Sequence, residues 1–139
     1  MALLRHLALR CRDMEKSRAF YEQAIGWKFL GNRPSGTACD LTDGTCNITL
    51  IQQPADCERT VLEEGNEFIH FGVIVTDLEA CRRRLEQLHA VFSTDSIKQP
   101  GDSAAPPLPE TSLKVLDPDG NVVDVTVNHD EWRGVSIQA

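Results

Sequence analysis

With 139 residues, 41% of them hydrophobic and 25% charged, the chain has the size and composition of one compact globular domain. Its net charge of −7 argues against a nucleic-acid partner, which needs a basic surface to displace counterions. No apolar run reaches the roughly 20 residues of a membrane helix. The stretch Met1–Leu4 is too short for a secretory signal, so a cytoplasmic location without membrane contact is expected.

In chain order, a short apolar strand is expected over His6–Cys11, followed by Asp13 as a helix N-cap. The helix that follows turns Met14, Ser17, Tyr21 and Ala24 to one side, with Phe20 and Ile25 beside them, and Gly26 suits its C-cap. Strands are then expected at Trp27–Leu30, Thr37–Leu41 and Asn47–Gln52, the last two joined through an Asp43-Gly44 turn. A linker spans Pro54–Asn66. A second strand–cap–helix run begins at His70–Val75, with Asp77 as N-cap and Leu78, Cys81, Leu85 and Leu88 along the helix. Ala90–Ser93 leads into a Pro-rich stretch, Gln99–Pro109, which can be neither a regular helix nor a central strand. It reads as a surface loop or a lid. Strands at Ser112–Leu116 and Asn121–Val127 flank the turn Asp117-Pro-Asp-Gly120.

The two runs are copies of each other. His70 follows His6, and Asp77 follows Asp13, by 64 positions, and six residues in this span (His, Asp, Glu, Arg, Glu, Gln) recur without a gap. We therefore expect an α+β fold in which residues 1–139 form a single domain of two βαβββ modules, about 1–53 and about 67–130, curving as a mixed sheet around a metal cleft.

Equivalent strands in a pseudo-symmetric fold present equivalent positions, so His6 and His70 are expected to converge. On the last strand Val123, Val125 and Val127 form one face and Asp124, Thr126 and Asn128 the other, as a wet cleft requires. His6, His70 and Asp124 are the candidate metal ligands; two imidazoles and a carboxylate leave coordination positions open for substrate. Thr49 and Asn47 occupy the corresponding polar face in the first module, and neither is a good ligand for a transition metal. His89, at the end of the second helix, and His129 lack such partners. The five cysteines contain no C-x-x-C pair and read as buried free thiols. Arg82-Arg83-Arg84, near Glu79 and Glu86, reads as a solvated helix face.

The segments His6-Leu-Ala-Leu with the Asp13 helix, His70-Phe-Gly-Val with the Asp77 helix, and Asp117-Pro-Asp-Gly-Asn-Val-Val-Asp124 together resemble the vicinal oxygen chelate superfamily. Its members include glyoxalase I, extradiol dioxygenases, fosfomycin-resistance transferases, methylmalonyl-CoA epimerase and bleomycin-resistance proteins. The resemblance implies the same three ligands, although Asp stands where Glu is more usual. The carboxylate that glyoxalase I adds in its first module is missing.

It also implies a divalent metal ion, Fe(II) or Mn(II) ahead of Zn, Ni or Co, a small oxygen-chelating substrate and a homodimer. A dioxygenase-like enzyme is the leading expectation, although the extra His and Tyr of extradiol enzymes are not matched, Tyr21 being the one tyrosine. A non-redox isomerase, lyase or thiol transferase is the alternative. A metal-free drug- or metabolite-binding protein ranks last.

Overall fold

The computed structural model describes residues 2–57, 69–94, 103–104 and 106–135. The chain forms two compact units, Met1–Thr60 and Val61–Ala139. In the first, β1 (His6–Cys11) leads to α1 (Met14–Ala19), which continues as a π-helical segment over Phe20–Ile25, and then to β2 (Lys28–Asn32), β3 (Ala38–Thr42) and β4 (Asn47–Gln52). The second unit repeats the order with β5 (Phe71–Ile74), α2 (Leu78–Gln87), β6 (Val91–Ser93), β7 (Ser112–Leu116) and β8 (Val122–Thr126). Each unit carries one four-stranded sheet, ordered β1-β4-β3-β2 and β5-β8-β7-β6. First and last strands pair in parallel, β1 with β4 and β5 with β8, while the other pairs are antiparallel. This is the expected α+β architecture.

Both predicted caps form. Asp13 accepts the backbone N–H of Lys16 at 3.1 Å, and Asp77 accepts that of Ala80 at 2.8 Å. The first helix departs from the expected α-helix in its second half, where the Gly26 and Trp27 N–H groups both donate to the Tyr21 carbonyl at 3.0 Å. Gly26 closes it in the left-handed region, φ 94°, where a glycine meets no Cβ penalty. The wider segment buries Phe20, Tyr21, Ala24 and Ile25 together. Tyr21 stacks on Trp27, with ring centroids 4.8 Å apart and planes 9° apart.

The first core joins these rings to Leu9, Cys11, Cys39, Leu41, Ile48 and Leu50, from alternate positions of β1, β3 and β4. In the second unit Leu113, Val115, Val123 and Val125 are buried with Cys81 and Leu85 of α2. Strand β2 begins one residue later than expected and runs on to Asn32, because its register with β3 shifts between Phe29 and Gly31. The shift leaves Leu30 as an exposed bulge residue.

Three cysteines, Cys11, Cys39 and Cys81, are buried thiols as expected, but Cys46 is half-buried and Cys57 exposed. Cys57 follows the end of β4, beyond the core-facing alternation that buries the others. The arginine run of α2 is a solvated face, with Arg82 and Arg83 both reaching Glu79. Of the Pro-rich stretch, residues 99–102 and 105 lie outside the described residues, as do 58–66 of the linker. Among the described residues, no helix is long and apolar enough to cross a membrane.

The two helices end differently. His89 takes the left-handed position, φ 56°, that Gly26 holds after the first helix, and its N–H donates to the Glu86 carbonyl at 3.0 Å. A left-handed non-glycine residue costs roughly 1 kcal/mol. His89→Gly is therefore expected to stabilise the fold by about that amount, read as a rise in the midpoint of denaturant unfolding.

Candidate metal centre

In the second unit, parallel pairing sets Phe71 beside Val123 and Gly72 beside Asp124. His70, the residue before β5, shares a strand face with Gly72 and reaches Asp124. Its Nε2 lies 3.6 Å from Asp124 Oδ2, with the two side chains 24% and 16% exposed. That separation exceeds a hydrogen bond of about 2.7–3.2 Å. Two ligands bound at about 2.0–2.2 Å to one ion stand roughly 3–4 Å apart, so the pair fits a shared cation.

Across β7–β8, Lys114 is the direct partner of Asp124, and Ser112 is that of Thr126. Lys114 is only 2% exposed. The polar face of β8 is drier than the sequence implied. Thr126 is 1% exposed, and its hydroxyl accepts from Ser112 Oγ at 3.0 Å and donates to the Thr111 carbonyl at 3.1 Å. The Ser112 hydroxyl and the Thr111 carbonyl hold it, leaving Asp124 as the carboxylate on that face of β8.

The first unit places His6 at the equivalent position, beside Asn47 on β4. His6 Nδ1 and Asn47 Oδ1 stand 2.8 Å apart. Ala8 pairs with Thr49 as Gly72 pairs with Asp124, so Thr49 is the register counterpart of Asp124. Thr49 is buried, and its hydroxyl donates to Asp40 Oδ1 at 2.7 Å. Asp40, opposite Thr49 on β3, is held by Arg33 through two charge-assisted bonds of 2.9 Å, Nε to Oδ2 and Nη2 to Oδ1. That guanidinium, with Thr49 and Asn47 donating as well, holds the Asp40 carboxyl at about 2, against the opposing effect of burial.

The sequence reading missed Asp40 and Arg33. A charged residue inside the apolar run Thr37–Leu41 was the available signal for Asp40. Arg33 lies in the β2–β3 turn, where spacing carries no information about what it faces.

Among the described residues, no three His, Cys, Asp or Glu side chains cluster as a ready metal site. His70 and Asp124 come together in the second unit, and His6 belongs to the first. Burial raises the thiols of Cys39, Cys46 and Cys81 above the ordinary range, so these three stay protonated and are poor ligands or nucleophiles. A surface cavity at the far end of β4, lined by Arg12, Gln52, Gln53, Pro54, Ala55 and Cys57, contains none of the candidate residues.

A family model, described as the Glyoxalase/Bleomycin resistance protein/Dioxygenase superfamily, matches residues 3–125. The chain belongs to this superfamily. A lactoylglutathione lyase of Oryza sativa subsp. japonica is 26% identical over 136 residues, covering 88% of this chain but only 43% of the relative, so the chain spans less than half of that protein. The fold is shared with the fosfomycin resistance protein FosX of Listeria monocytogenes, at 13% identity, a TM-score of 0.66 and 94% coverage of both chains. A FosX variant from the same organism, holding Mn(II) and 1S,2S-dihydroxypropylphosphonic acid, gives 15% identity, a TM-score of 0.63 and 94% coverage of both chains. In this chain His6 opens β1, His70 immediately precedes β5 and Asp124 lies on β8.

Two predictions follow from this geometry. A Cβ built on Gly72 would lie 2.2 Å from Trp132 Cζ2, so the indole occupies the space that glycine leaves beside Asp124. Gly72→Val should cost about 1–3 kcal/mol through overpacking. It should also shift the Trp132 emission to the red, while Trp27, stacked in the core, stays unchanged.

The second concerns acid. Because the folded carboxyl of Asp40 lies near 2, below its unfolded value of about 3.9, the Arg33–Asp40 pair stabilises the fold fully above pH 4. That contribution is lost as the pH falls from 4 through 2. Asp40→Asn should flatten the pH dependence of the thermal midpoint across this window, and a slope equal to that of the wild type would refute the assignment.

Proposed function

We propose that the protein is a divalent-metal-dependent enzyme of the superfamily's non-redox type, a lyase, isomerase or addition enzyme. Its substrate is a small molecule offering two adjacent oxygens. The observation that carries this reading is the approach of His70 Nε2 to Asp124 Oδ2 on a polar strand face. His70 and Asp124 would hold the ion, with His6 as third ligand, supplied within one chain or between two copies of a homodimer. Such an ion supplies Lewis acidity, drawing electron density from substrate oxygens and favouring the anionic form of the reacting centre.

The chain's own groups shape the site. Asp124 contributes the negative charge that makes the site selective for a cation, on a rigid strand flanked by paired neighbours. Trp132 packs its indole against Gly72 on the same strand face. Lys114, the cross-strand partner of Asp124, is a buried cationic residue on the neighbouring strand.

The dioxygenase reading is the second. It keeps the support of a His, His, carboxylate set with open positions, which suits Fe(II). Against it stands Tyr21, which is fully buried in the first core and stacked on Trp27, where it cannot serve a site as the tyrosine of extradiol enzymes does. The names of the relatives, a lyase and a Mn(II)-holding fosfomycin resistance protein, also favour non-redox chemistry.

Titration of metal-free protein with Mn(II), Zn(II), Ni(II) and Fe(II) tests the proposal. One ion per chain is expected, with binding weakened at least tenfold in His70→Ala and in Asp124→Ala. Unaltered binding in both variants would remove the site. Oxygen uptake with Fe(II) and catechols, under conditions where Mn(II) gives no turnover of other substrates, would move the assignment to a dioxygenase.

A further inference from the structure

We propose that Asn47 is a positioning residue that, oriented by Asp40, fixes the tautomer of His6 and leaves His6 Nε2 with its lone pair outward. The consequence for metal binding rests on the function proposed above; the tautomer itself does not.

The argument follows the direction of each hydrogen bond. Arg33 is a donor only, and it gives Nε–H to Asp40 Oδ2 and Nη2–H to Oδ1. The Asp40 carboxylate, ionised beside that guanidinium, can only accept. Asn47 lies 3.3 Å from it through its amide nitrogen, Nδ2 to Asp40 Oδ1. The reversed amide would set a carbonyl oxygen against a carboxylate and lose this bond, so Asp40 determines which way Asn47 points.

Thr49 is compatible with the orientation that Asp40 imposes. Its hydroxyl accepts from Arg33 Nη2 at 3.0 Å, so its own hydrogen goes to Asp40 Oδ1 at 2.7 Å or Asn47 Oδ1 at 3.1 Å, both acceptors. Asn47 Oδ1 therefore faces His6 Nδ1 at 2.8 Å as an acceptor. A carbonyl oxygen has no proton to give, so Nδ1 carries the hydrogen, and in the neutral ring Nε2 is then the basic nitrogen.

The backbone holds this geometry. His6 and Asn47 are register partners on adjacent parallel strands, and Asn47 N–H donates to the Arg5 carbonyl at 2.9 Å. Ligating histidines characteristically donate their other N–H to a fixed acceptor, and losing that acceptor weakens metal binding by about 10–100-fold. The acid absent from the first unit's last strand, where Thr49 stands, is thus present one strand away. There it acts on His6 through Asn47.

Long-range proton–nitrogen NMR of the full-length, metal-free chain with ¹⁵N-labelled histidine reads the tautomer directly, with His6 identified by its loss in His6→Gln. The expected wild-type result is the Nδ1–H form. Asn47→Leu should lose that preference, and Asp40→Asn, which no longer dictates how the Asn47 amide points, should weaken it. Zn(II) titration of the same proteins should show about 10–100-fold weaker binding in Asn47→Leu and a smaller loss in Asp40→Asn. An Nε2–H form in the wild type, or an unchanged tautomer in Asn47→Leu, overturns the proposal. A wild-type Nδ1–H tautomer with no Zn(II) binding supports the positioning and overturns the metal role instead.

Discussion

Parallel pairing of the first and last strands in each unit is the constraint from which the candidate chemistry follows. A parallel pair cannot be closed by a tight turn, so the chain must leave, cross through a helix and return. In each unit it does so with one helix and two further strands before the last strand slots in beside the first. The histidine at the start of the opening strand is thereby placed against a residue far along the sequence, Asn47 for His6 and Asp124 for His70.

The same register is used differently in the two units. At matched positions the first unit carries Thr49 and Asp40 and the second carries Asp124 and Lys114. In that matched cross-strand pair the acid sits on β3 in one unit and on β8 in the other. In the first unit the cation is Arg33, supplied from a turn, and its two bonds commit Asp40 to an ion pair. Asp124 instead faces an imidazole nitrogen at a distance suited to a shared ion. Duplication supplied the frame, and divergence moved the carboxylate from the strand next to the last one to the last strand itself.

Packing behind the sheets lets those polar faces exist. Aromatic stacking of Tyr21 on Trp27 and the valine-rich face of β8 bury the opposite sides of the strands. Apolar burial of this kind contributes about 25 cal/mol per Å². The polar residues on the other face are therefore not required to supply the cohesion of the unit. Gly72 belongs to the same division of labour, since its missing side chain is the space that Trp132 fills beside Asp124.

Much of this was legible in the residues alone. The 64-residue repeat, the two Asp caps, the order of elements and the alternation on β8 are local or periodic features, and side-chain spacing reports them directly. For the same reason His6, His70 and Asp124 could be named as candidates, and the superfamily could be recognised from the segments that carry them. The π-helical end of the first helix, the bulge at Leu30 and the burial of Thr126 were not legible, because each depends on how neighbouring strands and rings fill space. Asp40 and Arg33 were invisible for a further reason. A hydrogen-bond partner is chosen by three-dimensional proximity, and no period in the chain links a turn arginine, a mid-strand aspartate and an asparagine beside a histidine. Sequence determined which strands exist and which faces they offer; tertiary structure alone decided which polar atoms meet, since that is set by strand register across long separations.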